Sequence, residues 1–167
     1  MIDSEPGSGA GRRSIDLNAD LGEGFPNDLP LIDRVSSASV CCGAHAGDPE
    51  SIRNTLRAAA DRGVVVGAHP GYPDRDGFGR RERELSTNEV ARLILDQVAD
   101  LSRLGSDLGV RIRFVKPHGA LYNQAQRQEV VARGVIEAVD RLRLPLLGQP
   151  GSVLESLARA MGVRYIA

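Results

Sequence analysis

Three histidines, one lysine and a group of acids carry most of the chemistry open to this chain of 167 residues. Each histidine leaves a β-branched or small apolar run and leads into Gly, Ala or Pro. His45 lies in VCCGAHAGD and His69 in VVVGAHPGYPD; His118 lies in FVKPHGALYN, which also holds Lys116, the single lysine. A fourth segment, IDLNADLGEG, sets Asp16, Asn18, Asp20 and Glu23 where another short apolar run gives out. Such runs mark buried parallel strands, and glycine-rich exits let the chain turn away from the sheet. In α/β folds ligands gather at the carboxyl ends of strands. Four distant segments therefore predict one site.

Only histidine titrates near neutrality when unperturbed, so at least one is expected as acid, base or substrate donor. The catalytic candidates are Asp20, His45, His69, Lys116 and His118. Histidine and carboxylate together also suit a divalent ion, for which Asp20, His45 and His118 are the expected ligands. The wide intervals between the histidines fit separate strand ends and not a zinc finger or a HExxH helix. The plainer alternative is that they hydrogen-bond a polar cavity or a substrate, with no ion. Asp16, Asn18 and Asp20 alternate, so on an extended strand they share a face. They could hold a cation or act as a base, or one of them caps the next turn.

Lys116 offers a point charge to a phosphate or carboxylate, or polarises a carbonyl. Tyr122 and Asn123, read as part of the same loop, could orient substrate. Arg75, Arg80 and Arg81 could clamp an anion, against the default of a solvated charge run. Gly22-Glu23-Gly24 would let a phosphate approach the backbone, although a plain turn is the alternative and no GxxxxGK[ST] motif exists. Cys42 reads as a small core residue rather than a nucleophile.

The elements that must place these groups alternate as βα units of a parallel sheet. Strands are predicted at 14–18, 39–43, 64–66, 110–115 and 144–147, with a sixth beginning at 163–166. Asp48-Pro49-Glu50 opens a helix that Gly63 stops. Ser86-Thr87-Asn88-Glu89 is a capping box for a helix with Val90, Leu93, Ile94, Val98 and Leu101 on one face. Further helices are expected over 126–142 and from Ser152. The loop 70–85 is too long for a minimal connection and is expected to line the site.

Composition narrows the class. Hydrophobic content of 41%, charged content of 26% and a net charge of −1 describe an ordinary globular domain with no global field for nucleic acid or an anionic membrane. Adjacent Cys41 and Cys42 point to opposite faces of a strand, which favours reduced thiols and a cytoplasmic setting. Residues 1–13 read as a polar, Gly/Ser-rich disordered tail. The apolar runs are too short to cross a bilayer. Five βα units and a lone sixth strand fall short of a closed barrel, so the chain reads as truncated.

The stretches IDLNADLGEG (15–24), CGAHAGD (42–48), GAHPGYPDRDGFGR (67–80) and VKPHGALYN (115–123) resemble, in this order, the LamB/YcsF family, the A subunit of the bacterial ATP-dependent 5-oxoprolinase. The resemblance implies an irregular parallel β/α barrel of the glycoside hydrolase/deacetylase type, with 14–167 as an incomplete catalytic domain. It implies cleavage of the lactam of 5-oxo-L-proline to L-glutamate with ATP hydrolysis, together with subunits B and C. ATP and a divalent metal ion are the implied cofactors. The residues expected to bind substrate are Asp16, Asn18, Glu23, Arg75, Arg80, Tyr122 and Asn123. Alternatives are a metal-dependent deacetylase or amidohydrolase without ATP, or a non-catalytic barrel fragment that binds partner subunits.

Overall fold

The computed structural model describes residues 15–167; the expected tail at 1–13 lies outside them. The chain enters a sheet as β1 (Asn18–Leu21), makes a single-turn helix α1 (Asp28–Ile32) and returns as β2 (Ser37–Cys41). Helix α2 (Pro49–Arg62) leads to β3 (Val65–His69). Then follow α3 (Thr87–Ser106), α4 (Gly119–Arg127), α5 (Glu129–Leu142), β4 (Leu146–Leu147), α6 (Val153–Ala160) and β5 (Tyr165–Ile166). All strand pairings are parallel, β1 to β2, β2 to β3 and β4 to β5. Val115 joins the two groups by bridging Ala68 and Leu146. Segment 113–116 is hydrogen-bonded on both sides, Ala68 N–H to Phe114 O at 2.9 Å and Leu147 N–H to Val115 O at 2.8 Å. The expected α/β class with a parallel sheet is what forms.

Several boundaries move. The first strand starts at Asn18 rather than running over 14–18, and the second starts at Ser37 rather than at residue 39. The expected strand 110–115 pairs only from residue 113, because the Val110 N–H is still tied to Gly105 O at the end of α3. Helix α2 follows expectation: the Asp48 side chain accepts from Glu50 and Ser51 N–H at 2.9 Å, Pro49 fills the first position and Gly63 (φ 67°) ends it. The Ser86/Glu89 capping box likewise opens α3.

The segment read as a loop carrying Tyr122 and Asn123 is helix α4, and the helix expected over 126–142 is interrupted at Gln128, which is extended (φ −112°, ψ 115°). Burial of Leu121, Gln124 and Ala125 holds α4 in place. Helix α3 packs against α5, burying Val90, Ile94, Val98 and Leu101 on one side and Val135 and Val139 on the other. Each such side chain contributes about 1.5–3 kcal/mol by leaving water, which fixes this layer behind the sheet. Among the described residues no helix is long and apolar enough to cross a membrane.

Candidate functional site

Parallel pairing brings the carboxyl ends of β1, β2, β3 and segment 113–116 side by side, with Cys41 opposite His69 in register. His69 ends β3 and sends Nδ1 to the Lys116 carbonyl at 2.7 Å. Its Nε2 lies 3.0 Å from Nδ1 of His118 and 3.4 Å from Oδ2 of Asp20. His118 sits immediately before α4, and its Nε2 meets the Phe78 carbonyl at 2.9 Å. The His45 ring stacks on His118, centroids 3.7 Å apart and planes 2° from parallel. Its Nε2 is 3.3 Å from Glu23 Oε1. Lys116 Nζ donates to Asp20 Oδ1 at 2.8 Å. All three imidazoles are buried.

These contacts fix where the protons are. A carbonyl oxygen can only accept, so Nδ1 of His69 and Nε2 of His118 carry hydrogens. In the neutral rings the remaining nitrogens, His69 Nε2 and His118 Nδ1, are then bare lone pairs facing each other. Glu23 Oε1 joins them at 3.9 Å and 3.5 Å. Three electron-rich atoms around one point repel unless a positive centre, a shared proton or a metal ion, lies among them. Ligands on a tetrahedral ion with bonds of about 2.0–2.1 Å stand roughly 3.3 Å apart. The observed separations straddle that value, so Glu23, His69 and His118 fit a divalent ion, and their ligand atoms all lie within 4.8 Å of one another.

His45 has a different task. The Cys41 thiol donates to Ala46 O at 3.2 Å, leaving its sulfur as an acceptor 3.5 Å from His45 Nε2. With Glu23 also accepting there, His45 Nε2 is the protonated nitrogen and points its hydrogen at the carboxylate. Its Nδ1 is buried without a partner among the described residues, and Gly71 packs so close that a Cβ would stand 2.7 Å from it. His45 thus orients Glu23.

The electrostatics agree with these roles. Burial and the neighbouring His45 push His118 down to about 4, which keeps its ring neutral near pH 7 despite the Phe78 bond. Partial burial pulls Asp20 upward, but His69, when its Nε2 carries a hydrogen, and the bond and charge of Lys116 hold its carboxyl well below the ordinary range. Glu23 is also lowered: burial opposes the shift, and the His45 hydrogen bond and the surrounding imidazoles outweigh it. Cys41 is pushed up to about 11 by burial, so no thiolate is available there as a nucleophile.

Of the expected metal trio Asp20, His45 and His118, only His118 belongs to the converging set, because Asp20 is paired with Lys116 and His45 is a donor. Asp16 and Asn18 share a face with Asp20 but hydrogen-bond the serines of β2 and its approach: Ser37 donates to Asp16 at 2.7 Å, Asn18 donates to Ser37 at 2.8 Å, and Ser39 donates to Asn18 at 2.9 Å. Arg75 does not offer a free guanidinium. It donates to Gly43 O and Gly47 O, both at 2.7 Å, across the loop that carries His45. Arg81 reaches Asp74 at 3.3 Å. Arg80 lies over the Phe78 ring, 5.7 Å from its centroid, at the rim. Tyr122 is half-buried on α4, its phenol raised by burial and by the Asp20 charge, and Asn123 is exposed. Sequence reasoning passed over Phe78, whose contribution is a backbone carbonyl, and Cys41, whose sulfur receives a site histidine.

A profile of the LamB/YcsF family matches residues 15–167. A 5-oxoprolinase A subunit of Pseudomonas syringae pv. tomato, the one numbered 3, is 44% identical over 162 residues, covering 93% of this chain and 63% of that protein. The 5-oxoprolinase A subunit of Corynebacterium jeikeium is 47% identical over 160 residues, covering 92% and 62%. A crystal structure described as a lactam utilization protein, from Thermus thermophilus, is 43% identical and superposes with a TM-score of 0.89 over 92% of this chain and 65% of its own. A structure from Enterococcus faecalis V583 at 16% identity, TM-score 0.65, shares the fold alone. The chain thus spans somewhat under two thirds of the length of the relatives it matches. With the family profile covering every strand that feeds the site, the chain belongs to the LamB/YcsF family.

Proposed function

We propose that the chain carries the site of the A subunit of an ATP-dependent 5-oxoprolinase. With subunits B and C it opens the lactam of 5-oxo-L-proline to L-glutamate in the cytoplasm. The reading takes the described parallel sheet as part of an irregular β/α barrel of the glycoside hydrolase/deacetylase type. The names of the relatives support the reaction. The observation that carries it is the convergence of Glu23, His69 and His118 on one point beside the Asp20–Lys116 pair.

A lactam carbonyl is a poor electrophile because amide resonance feeds it. Transfer of the γ-phosphoryl of ATP to the lactam oxygen releases ADP and makes the ring carbon electrophilic. Water adds there, the ring nitrogen leaves with a proton, and a second water releases phosphate and glutamate. Lys116, held by Asp20, supplies the charge that phosphoryl oxygens require. Asp20 itself, with its lowered pKa, is a poor base and serves to hold Lys116. With no ion in the cluster, the lone pair of His69 is the proton acceptor for the attacking water, a role that an ion held there would take from it. With Arg75 committed to backbone carbonyls, Arg80 is the cation left at the rim for the substrate carboxylate. A divalent ion bound by Glu23, His69 and His118 would supply Lewis acidity and a lowered pKa for bound water.

The test is 5-oxoproline-dependent ADP release by the chain reconstituted with subunits B and C. Loss of about 100-fold or more is expected for His118→Ala and Asp20→Ala in folded variants. Undiminished turnover in a variant removes that residue, and no substrate-dependent ADP release by the parent chain retires the reading. The two-imidazole, one-carboxylate set also favours a second reading, a metal-dependent deacetylase or amidohydrolase; turnover that persists without nucleotide would identify it.

A further inference from the structure

Glu23 stands between two glycines of positive φ, Gly22 (78°) and Gly24 (88°), so the chain reverses sharply just after β1. Behind that turn, on the first residue of α1, lies Asp28. It is only 9% exposed, and its Oδ2 accepts the Gly22 N–H at 2.8 Å. The Gly24 amide also acts on this carboxylate. A buried carboxyl here runs against expectation, since Glu23 already brings negative charge to the same place. Burial and the Glu23 charge raise the Asp28 pKa, opposed by the glycine amides.

We propose that Asp28 is a positioning residue for Glu23: by bonding the amide of the preceding glycine it closes the Gly22–Gly24 turn from outside and aims the Glu23 carboxylate at the imidazoles of His45, His69 and His118. Three distances express the aim, 3.3 Å to His45, 3.5 Å to His118 and 3.9 Å to His69. No other side chain of α1 could do this, because Leu29 and Leu31 face solvent and Ile32 packs into the core. Asp28 touches none of the imidazoles, so its action runs through the backbone of one turn. Its charge also stands behind Glu23 and favours a cation in front of it. This last point rests on reading the cluster as a cation site; the positional argument does not.

The experiment uses the full chain and three readouts. In the parent protein the Gly22 amide must be protected from hydrogen exchange; exchange at the free-chain rate overturns the proposal whatever the variants do. Nitrogen-15 spectra of the three imidazoles are then compared among Asp28→Ala, Asp28→Asn and Glu23→Gln. Asp28→Ala should shift the His45 signals as Glu23→Gln does, whereas Asp28→Asn, which keeps an acceptor for Gly22, should leave them near the parent positions. Zinc affinity by calorimetry should fall about 10–100-fold in Asp28→Ala, as for loss of a partner that orients a ligand. It should fall no further when Asp28→Ala is added to Glu23→Gln. Parent-like imidazole spectra in Asp28→Ala, or an equal loss of zinc affinity in the Glu23→Gln background, overturns the proposal. A parent chain that binds no zinc while its imidazole signals still answer Asp28→Ala removes the metal reading and leaves the positioning role standing.

Discussion

The Nε2 of His69 and the Nδ1 of His118 face each other across 3.0 Å with no hydrogen left for either in the neutral rings, because the opposite nitrogen of each ring is spent on a backbone carbonyl. Lys116 and Phe78 supply those carbonyls, so the paired lone pairs are a property of the backbone and not of a chance rotamer. The arrangement separates the three histidines into two classes, which binding measurements can tell apart.

If Glu23, His69 and His118 are the ligands and His45 acts through Glu23, alanine at each position should not be equivalent. His69→Ala and His118→Ala should each abolish tight binding of a divalent transition ion, whereas His45→Ala should weaken it only about 10–100-fold. Asp20→Ala should leave affinity closer to the parent and reduce turnover instead. Calorimetric titration of the chelator-stripped chain with zinc reads all four. Equal losses for His45 and His69 would mean that His45 binds the ion directly.

Arg75 offers a contrast between the role its sequence suggests and the bonds it makes. Both arms of its guanidinium hold carbonyls on the loop 43–47, and Asp48 at the end of that loop caps α2. Arg75→Lys keeps the charge but lacks the planar fork whose two arms reach the two carbonyls, so it should fall between the parent and Arg75→Ala. Hydrogen bonds from a charged donor contribute about 1.5–3 kcal/mol each when buried, and the partly exposed pair here should total nearer 1–3 kcal/mol in urea unfolding. The KM for substrate should rise little in Arg75→Lys. A large KM rise with unchanged stability would return Arg75 to the substrate.

What could be read from the letters follows the range of the interactions involved. The Asp48-Pro49-Glu50 start of α2, the Ser86/Glu89 box and the apolar face of α3 are local patterns, and each formed at the expected residues. Helix α4 gave no such sign: it begins at a glycine, His118 makes no capping bond before it, and its hold is burial of Leu121 and Ala125 against other helices. Helix α1 is a single turn with Pro30 inside it, too short to show a period. In the site, strand-end placement of His45, His69 and His118 was legible from the apolar runs before them. Which acid meets them was not, since Asp20 and Glu23 flank the same strand end and only the turn held by Asp28 decides. Arg75 and Phe78 act on or through carbonyls, which every residue has and no sequence pattern distinguishes.

The Asp48 cap gives a pH prediction whose sign is set by its lowered pKa, caused first by the Ser51 amide and also by the Glu50 amide. A carboxyl depressed on folding stabilises the native state above its unfolded pKa of about 3.9 and loses that contribution as pH falls through the folded value. The stability difference between the parent and Asp48→Asn should therefore be level from pH 5 upward and shrink below about pH 4. Thermal melts across that range read it. A difference that grows on acidification would show that the cap does not bind the ionised side chain.

The meeting of the His45 loop with the Glu23 turn is the most sterically demanding contact in the site. A Cβ on Gly47 (φ 67°) would stand 2.2 Å from the carbonyl oxygen of Gly22, backbone against backbone, with no flexible side chain to yield. Gly24 is an internal control: its φ of 88° is as unfavourable to other residues, yet nothing lies within 4 Å of its added Cβ. Gly24→Ala should therefore cost only the left-handed strain of about 1–2 kcal/mol. Gly47→Ala adds to that strain a displacement of the Gly22 carbonyl, and with it the Glu23 carboxylate one residue on. It should be the less stable variant and the one that loses divalent-ion affinity, while Gly24→Ala keeps most of it. If the two variants lose affinity equally, backbone strain rather than the contact of the two loops governs the placement of Glu23.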